Sequence, residues 1–376
     1  MRRSFWRVKM SEAEHVARRW DDSEWTHGTP KDFWAYHPII QAYIHANISP
    51  HSADMLDWLK RTFLPDTTVP LGLSICCGMG AGDRQALAAN VCSQLEGFDI
   101  SPKSIEIARQ RATEAGFGAR VHYWVDDANA FTLAENRYDI VLAFGAIHHI
   151  ETLERLCEQL KRGLKPGSLI FMNEFVGPSR FQWTAEQLEL INRVMAVLPP
   201  AWRRADRVEA VAEADVIDSD PSEAVRSDEI IELFCRHFEL VDCCDMGGGL
   251  LMPLWEKGMI PDTFLQNSLA DRQVVVKLLI LLDELLAEHS IVPSNFAQLV
   301  FRNRPPSPGN PQVSRRLSAQ SPARKQWTNM WLPDTHFVEL TPWWHLPHKA
   351  WYILRKEGVS TLAAEIRSYL WWLRTR

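Results

Sequence analysis

Acidic side chains follow the ends of successive predicted strands, and they limit the chemistry that this chain can perform. Asp99 lies about 20 residues beyond a glycine-rich turn, where a carboxylate suits both hydroxyls of a ribose and rejects a 2′-phosphate. Its alternative role is capping of the next helix. An aspartate after the third strand can accept a hydrogen bond from an adenine amino group. Asp127, followed by Ala128, fits that role better, and Asp126 has the alternative role of a solvated turn acid.

The glycine-rich turn belongs to the stretch of residues 71–83, LGLSICCGMGAGD. Gly78 and Gly80 let backbone amides approach a ligand closely, and the helix start that follows favours negative charge or a hydrogen-bonding group. Such a turn serves dinucleotides, phosphates or nucleosides in many α/β folds, so it does not identify the ligand alone. A nicotinamide dinucleotide is the alternative cofactor, but Gly78, Gly80 and Gly82 alternate instead of following the G-x-G-x-x-G spacing.

Strands and helices alternate after this turn, which predicts a parallel sheet covered by helices on both faces. Ligands of such sheets bind outside the carboxyl ends of the strands. The glycine-rich turn, Asp99, the Asp126–Asp127 pair and residues 144–149 fall at those ends, so they should share one crevice. Phe144 opens the loop after the fourth strand, beside the expected reactive group. The predicted strands are residues 71–76, 93–99, 120–125, 138–144 and 168–175.

Five stretches between residues 71 and 175 together resemble the motifs of class I S-adenosylmethionine-dependent methyltransferases. They are LSICCGMGAGD, LEGFDISPKSIEIARQRA, VDDANAF, YDIVLAFGAIHHI and LKPGSLIFMNEF. The resemblance implies an α/β, Rossmann-like fold with a seven-stranded, mostly parallel sheet and an antiparallel strand seven. It also implies S-adenosylmethionine as the cofactor and S-adenosylhomocysteine as its product.

The same resemblance assigns roles around the cofactor. Gly78 and Gly80 lie against its methionine part, and Asp99 holds the ribose. Ile100 packs on the adenine, and Asp127 meets the adenine amino group. The expected cofactor site is completed by Cys76, Asp126, Ala128 and Phe144.

Two positions depart from the family pattern. Ser74 stands where family members usually carry an acid, and Cys76 stands where they carry a third glycine. Because Cys76 has a Cβ, the backbone cannot approach the ligand as closely there, so a lower affinity or a shifted pose is expected. Gly78 and Gly80 remain, and binding is expected to survive.

Candidate catalytic residues follow from the chemistry of methyl transfer. Displacement at a sulfonium methyl gains much of its acceleration from alignment, and an oxygen acceptor also needs its proton removed. His148, His149 and Glu174 lie at strand ends beside the expected methyl position. A structural role is the alternative for both histidines, and Glu174 has the alternative of binding Arg180 or a loop amide. No metal is expected, since no CxxC pair or histidine spacing supports a zinc site.

Residues outside the five motifs are expected to enclose the acceptor. Residues 31–48 predict a helix that packs on the core or closes over the ligand, with Trp34 or His37 facing it. Residues 1–64 are thus an N-terminal helical lid before a methyltransferase domain of residues 65–304. Arg180 and Trp183 suit binding of an anionic group and stacking on a sugar ring.

Two helical insertions are expected on the carboxyl side of the sheet, where they would wall the acceptor pocket. They cover about residues 177–237 and 247–293, before predicted strand six (238–245) and strand seven (295–302). The second insertion contains an apolar helix, VVVKLLILLDELLAEH, which is too short and too charged to span a membrane. It is expected to be buried as a cap or a homodimer face.

Composition and the C-terminal region limit the kinds of partner that this protein is expected to bind. The net charge of −6 disfavours a general nucleic-acid binder, and seven cysteines without framework spacing indicate reduced thiols in the cytoplasm. Residues 305–326 are rich in Pro, Ser and Arg and predict a disordered linker. Residues 327–376 form a basic, Trp-rich amphipathic tail. This tail suits peripheral contact with the inner membrane face, or docking on the core or on a partner.

A second, less specific resemblance is to methyltransferases encoded with bacterial surface-polysaccharide (O-antigen type) enzymes. It is carried by FWAYHP, NEFVGPSRFQWTAEQL and DPSEAVRSDEI, and the tail stretch KAWYILRKEGVSTLAAEIRSYL resembles tails of glycosyltransferases in such systems. It implies O-methylation of a sugar hydroxyl on a bacterial glycan. The alternatives are a methyltransferase of another small molecule, and a non-catalytic scaffold disabled by Ser74 and Cys76.

Overall fold

The computed structural model describes residues 11–22, 33–49, 52–260 and 270–304. The predicted linker of residues 305–326 and the predicted tail of residues 327–376 lie outside the described residues. The division of the chain into lid, domain, linker and tail stays a prediction.

One seven-stranded sheet organises the described chain, with strand order β3-β2-β1-β4-β5-β7-β6. Strand β7 pairs antiparallel with both β5 and β6, and the neighbouring pairs from β3 to β5 are parallel. This topology confirms the predicted fold class. The strands are β1 (Val69–Ile75), β2 (Cys92–Asp99), β3 (Val121–Val125), β4 (Tyr138–Phe144), β5 (Leu164–Phe175), β6 (Glu239–Gly247) and β7 (Phe296–Arg302).

Helices cover both faces of this sheet and add a layer beyond its carboxyl edge. Several begin at side-chain caps: Ser11 with Glu14 forms a capping box, and Asp54, Ser101 and Thr184 cap the helices that follow them. The helices are α1 (Glu12–Asp21), α2 (Pro38–Ile48), α3 (Met55–Phe63), α4 (Ala81–Ala88), α5 (Pro102–Glu114), α6 (Leu153–Gly163), α7 (Ala185–Val197), α8 (Glu213–Ser219), α9 (Ile230–His237), α10 (Leu251–Pro253) and α11 (Ala270–Glu288).

The central strands are buried on both faces, which explains their continuous apolar runs. Successive residues of β4 alternate between the two sides of the sheet. Val141 and Ala143 pack in the cluster that includes α6 and α9, whereas Ile140 and Leu142 pack in the cluster that includes α3 and α4. The carboxyl ends of the strands are therefore held rigidly at one edge.

The single helix expected over residues 31–48 is wrong at its start. The described chain forms a short 3-10 turn at Trp34–Tyr36, and α2 begins only at Pro38. Proline disfavours the helical conformation of the residue before it and suits the first helical position. His37 accordingly has an extended backbone and accepts a hydrogen bond from the N–H of Ile39 at 3.2 Å.

A second hydrophobic cluster joins α2, α7, α10 and α11 above the sheet. Helix α11 buries Val276, Leu279 and Ile280 in this cluster and leaves Val274 and Leu278 about half exposed. One face of α11 thus packs against the other helices of this cluster. Use of its exposed face in a homodimer stays a prediction. None of the helices in the described ranges is long and apolar enough to cross a membrane.

Asp283 of α11 binds the backbone of a different turn, residues 247–251, which follows β6. Its buried carboxylate accepts hydrogen bonds from the N–H groups of Gly248, Leu250 and Leu251, at 2.7, 2.6 and 3.1 Å. Gly247 has a φ of 86°, and a Cβ there would lie 2.5 Å from the Asp283 carboxylate. Burial raises the pKa of Asp283, although the three N–H donors favour its charged form.

We predict that Asp283→Ala lowers the free energy of unfolding by about 3 kcal/mol, because buried N–H groups lose their acceptor. Urea unfolding at neutral pH followed by circular dichroism measures this change. The exposed Asp206→Ala is the matched control and should change the stability by less than about 0.5 kcal/mol. Equal stability of the two variants would contradict the role assigned to Asp283.

Candidate active site

The glycine-rich turn connects β1 to α4 and leaves space for a ligand. Gly78 has a φ of 51°, and no described residue other than its chain neighbours has an atom within 4 Å of the position that a Cβ would take there. Gly80 has a φ of 64°, and a Cβ would lie 2.3 Å from the hydroxyl of Tyr123. Cys76 also adopts a left-handed φ, 47°, which costs a residue with a Cβ roughly 1 kcal/mol. The turn therefore keeps, at Cys76, the left-handed backbone conformation that favours glycine.

Asp99 ties the end of β2 to the glycine-rich turn. Its carboxylate accepts hydrogen bonds from the N–H of Gly78 at 2.8 Å and from the N–H of Ser101 at 2.9 Å. Ser101 caps α5, so the alternative of Asp99 as the helix cap is wrong. Burial raises the pKa of Asp99, while the N–H donors of Ser101 and Gly78 oppose the rise. Each carboxylate oxygen keeps a second lone pair for a ligand hydroxyl.

The two aspartates after β3 differ in their use. Asp126 accepts hydrogen bonds from the indole N–H of Trp124 at 3.2 Å and from the N–H of Asp127 at 2.9 Å, so both its oxygens hold the turn. Asp127 accepts from the N–H of Asn129 at 2.8 Å. Ala128 is buried and Ile100 is half-buried beside them. Asp126 thus uses both carboxylate oxygens within the turn, and the contact of Asp127 with the adenine stays a prediction.

Backbone hydrogen bonds link the residues that follow β1, β2 and β3. The N–H of Cys77 donates to the main-chain oxygen of Phe98 at 2.9 Å, and the N–H of Asp126 donates to that of Asp99 at 3.1 Å. The pKa of the Cys76 thiol is raised well above its ordinary value by burial and by the negative charges of Asp99, Glu174 and Asp127. Cys76 thus lies near the acidic side chains at the ends of β2, β3 and β5. An acid-lined crevice attracts a sulfonium cation and repels a pyrophosphate, which favours S-adenosylmethionine over a nicotinamide dinucleotide.

Glu174, at the end of β5, orients the loop after β4. One carboxylate oxygen accepts hydrogen bonds from the N–H groups of Ala146 and Ile147, at 2.7 and 2.9 Å. The other oxygen lies 2.9 Å from Nδ1 of His148. Burial lowers the pKa of His148, but the hydrogen bond and the charge of Glu174 outweigh it, so the pKa is raised overall. Glu174 is fully buried.

His149 is held by a separate group of residues from the first insertion. Its Nδ1 lies 3.2 Å from Oγ of Ser222, which donates its own proton to Asp220 at 2.6 Å. Burial and the neighbouring His148 lower the pKa of His149. The two imidazole rings lie 4.1 Å apart between centroids. Nε2 of His148 lies 3.7 Å from a carboxylate oxygen of Glu223.

Helix α1 and Arg180 support this histidine pair from outside. The indole of Trp20 meets the ring of His149 edge-on, with 5.0 Å between centroids. Asp21 accepts hydrogen bonds from the hydroxyl of Ser101 at 2.6 Å and from the N–H of Lys103 at 3.1 Å. Arg180 donates to the main-chain oxygen of Glu223 at 2.9 Å, so its guanidinium shapes the loop that carries Glu223.

An aromatic wall, formed by Trp34, Phe175, Phe181, Trp183 and Phe296, runs from His148 into the second hydrophobic cluster. Successive ring centroids lie 5.2–6.0 Å apart, starting with His148 and Phe175 at 6.0 Å. The indole N–H groups of Trp34 and Trp183 are buried and have no hydrogen-bond partner within the described ranges. An acceptor oxygen would satisfy such a donor. His37, in contrast, is buried edge-on against Trp255.

Asp83 of α4 lies beneath the glycine-rich turn. Burial raises the pKa of its carboxyl to about 6, and the hydroxyls of Ser74 and Tyr123 limit the rise. Neither hydroxyl is aligned well enough for a hydrogen bond, so both Asp83 oxygens lack a partner among the described residues. A carboxyl group thus lies beside Ser74, the position where the resembled family carries its acid.

Phe144 packs on the start of α4 in a way that the sequence did not suggest. A Cβ on Gly82 would lie 2.4 Å from the Phe144 ring, so this glycine admits the ring. The ring also meets Phe171 edge-on, with 5.9 Å between centroids. The expected contact of Phe144 with the cofactor stays a prediction, as do the other assigned ligand contacts.

Several site residues were not found from the sequence. Glu223, Ser222 and Asp220 lie in a loop about 70 residues after the histidines, and no spacing rule connects the two. Trp20 and Asp21 end a helix whose start was readable from the capping box at Ser11 and Glu14.

Strand order, the glycine-rich turn and the acid at the end of β2 together define a Rossmann-like class I methyltransferase fold. Residues 74–172 match a family model described as a methyltransferase domain. These residues therefore form an S-adenosylmethionine-dependent methyltransferase domain.

Similar proteins agree with this class. The chain is 30% identical to a demethylmenaquinone methyltransferase of Bacteroides fragilis over 129 residues, which are 34% of this chain and 49% of that protein. It is 27% identical to a ubiquinone biosynthesis O-methyltransferase of Methylobacterium nodulans over 169 residues, 44% of this chain and 61% of that protein. The chain thus spans less than two thirds of the length of either relative.

Among solved structures, the fold is similar to phosphoethanolamine N-methyltransferase 2 of Haemonchus contortus in complex with S-adenosyl-L-methionine. The TM-score is 0.45 and the identity is 19%, and the similarity covers 80% of this chain and 61% of that chain.

We predict that Asp99→Asn weakens S-adenosylmethionine binding at least tenfold, because hydrogen bonds to a charged acceptor are each worth about 1.5–3 kcal/mol. Isothermal titration calorimetry with S-adenosylmethionine and S-adenosylhomocysteine measures the affinity. The exposed Asp66→Asn is the matched control and should bind like the parent protein. An unchanged affinity of folded Asp99→Asn would remove Asp99 from the cofactor site.

A second prediction concerns Asp83 and pH. Its pKa of about 6, against an ordinary value of 3.8, means that the charged form costs the folded state about 3 kcal/mol at neutral pH. Asp83→Asn should therefore raise the free energy of unfolding at pH 7, and the gain should shrink between about pH 6 and pH 4, where the carboxyl of the parent becomes protonated. Urea unfolding at several pH values gives this difference. A gain independent of pH would show that Asp83 does not titrate in this range.

Proposed function

We propose that this protein transfers a methyl group from S-adenosylmethionine to a hydroxyl oxygen of a small, largely apolar acceptor. When bound in the acid-lined crevice, S-adenosylmethionine supplies an electrophilic methyl group. The acceptor oxygen forms the new bond to this carbon as the bond from carbon to sulfur breaks, and the hydroxyl proton passes to an imidazole of His148 or His149. The domain match and the crevice around Cys76 support the donor half of this proposal.

The observation that carries the acceptor half is the histidine pair beside the crevice. The buried carboxylate of Glu174 fixes His148 at 2.9 Å, and Ser222 fixes His149 at 3.2 Å. Together with Glu223, they present lone pairs and negative charge, which favour loss of a proton from an acceptor oxygen. In this proposal Glu174 is a positioning residue, and His148 and His149 touch the acceptor.

The aromatic wall supports an acceptor with an apolar ring or chain. Flat aromatic faces gain from stacking with a ring, and the buried indole N–H of Trp183 offers a hydrogen bond to an oxygen substituent. The similar proteins named above include enzymes of quinone biosynthesis, by name. An apolar acceptor suits this aromatic wall better than a phosphorylated one.

The finer prediction of a sugar hydroxyl on a bacterial glycan rests on the second sequence resemblance alone. Aromatic faces also stack on sugar rings, so the wall is compatible with it. Contact of the tail with the inner membrane face and a homodimer are further predictions of the sequence that this proposal does not need.

We predict that Glu174→Gln lowers kcat at least about 100-fold, because the neutral amide no longer holds His148 by a charged hydrogen bond. The affinity for S-adenosylmethionine should stay within about threefold of the parent. The assay follows S-adenosylhomocysteine release with phenols and quinols, apolar alcohols, and nucleotide sugars or oligosaccharides. The exposed Glu189→Gln is the matched control.

Outcomes of this assay separate the candidate functions. Turnover with an apolar hydroxyl compound and none with sugars supports the proposal. Turnover with sugars alone overturns the apolar acceptor in favour of the glycan prediction. Binding of S-adenosylmethionine without turnover of any acceptor favours the scaffold alternative.

A further inference from the structure

Three side chains of metal-ligand type converge beside the crevice. One ligand atom each from His148, His149 and Glu223 lies within 4.8 Å of the other two. The residues come from the loop after β4 and from the first insertion, so only the fold brings them together. Each of the two imidazole rings also has a hydrogen-bond partner at Nδ1, and that partner decides which ring nitrogen carries the proton.

Hydrogen bonding fixes the tautomer of His148. Oε1 of Glu174 already accepts two backbone N–H groups, and Oε2 faces Nδ1 of His148 at 2.9 Å. A carboxylate can only accept here, so Nδ1 carries the proton. The lone pair of the neutral ring is then on Nε2, which lies 3.7 Å from Oε1 of Glu223.

The same argument fixes His149. The hydroxyl of Ser222 donates its proton to Asp220 at 2.6 Å, so its oxygen is left to accept from Nδ1 of His149 at 3.2 Å. Nε2 of His149 therefore also carries a lone pair. One ring nitrogen of each histidine and a carboxylate oxygen of Glu223 thus lie within 4.8 Å of one another.

The spacing suits a metal ion better than a shared proton. A separation of 3.7 Å between Nε2 of His148 and Glu223 is too long for a hydrogen bond. Two ligand atoms that are each about 2.1 Å from a tetrahedral ion lie about 3.4 Å apart. A carboxylate or hydroxyl on the far nitrogen of each histidine is the usual support of a metal-bound imidazole.

We propose that His148, His149 and Glu223 bind a divalent transition-metal ion of the zinc class. Two imidazoles and one carboxylate match the preference of such ions and leave coordination positions open. Resting on the proposed function, the inference assigns one open position to the acceptor hydroxyl. The bound ion would lower the pKa of that hydroxyl, and its proton would pass to solvent water, because the imidazoles would hold the ion instead of taking the proton. The acceptor oxygen would form its bond to the methyl carbon as the bond from carbon to sulfur breaks.

This inference differs from the sequence-based expectation of no metal. His148 and His149 are adjacent in the chain, and Glu223 follows about 70 residues later, so the set has none of the spacings by which metal sites are recognised.

Metal binding is tested first without turnover. The full-length protein is stripped with a chelator and titrated with Zn²⁺ by calorimetry and with Co²⁺ by visible absorption. We expect one ion per chain, with Glu223→Gln at least tenfold weaker and His149→Asn at least 100-fold weaker than the parent. His289→Asn and Glu189→Gln, both exposed and remote in the fold, are the matched controls and should bind like the parent.

Two observations keep this test decisive. Cys76 and Cys77 are alternative metal ligands, and they would add the intense near-ultraviolet band of a cobalt–thiolate bond, which overturns the proposed ligand set. S-adenosylmethionine affinity and thermal melting of each variant show that the fold is intact. No binding by the parent, or equal binding by parent and Glu223→Gln, overturns the metal site.

Activity then separates this inference from the proposed function. Turnover that falls at least tenfold after chelation and returns with added Zn²⁺ or Co²⁺ supports the catalytic role of the ion. Full turnover after chelation overturns that role and leaves the proposed function intact. Stoichiometric metal binding by the three residues without turnover of any acceptor leaves the metal site standing and overturns the proposed function.

Discussion

The buried carboxylate of Glu174 is the interaction on which the site depends. It lies at the end of β5, is fully buried, and gives its oxygens to two loop N–H groups and to His148. A charge in this position is tolerated because it is hydrogen-bonded throughout, and removing one partner of such a buried pair typically costs about 3–5 kcal/mol. Through this one group, the rigid sheet determines where the loop after β4 places its histidines.

The predicted cofactor side of the site retains some parts of the pattern of the resembled family and replaces others. Cys76 retains the left-handed backbone of a glycine, and Asp99 holds the turn through the N–H of Gly78. Ser74 lacks the acid of the resembled family, yet the carboxyl of Asp83 lies beside it from the next helix.

The acceptor side is built by residues that pack rather than by a motif. The first insertion brings Glu223, Ser222 and Asp220 to the histidines, and Arg180 fixes the loop by a hydrogen bond to the Glu223 main chain. The aromatic wall continues into the second hydrophobic cluster, which Asp283 stabilises by closing the turn after β6. Asp283 therefore supports the part of the structure that carries the aromatic wall, whereas Asp83 lies beneath the glycine-rich turn.

The sequence pattern alone predicted the alternating strands and helices and the residues at the strand ends, and the family resemblance implied the cofactor class and the antiparallel strand seven. The strand and helix patterns are local, because each element lies within one short stretch of the chain. Only the tertiary structure decided that His37 is buried and that Glu223 joins His148 and His149. Such contacts join segments that are distant in the chain, and they depend on packing and buried hydrogen bonds that leave no periodic pattern in the sequence.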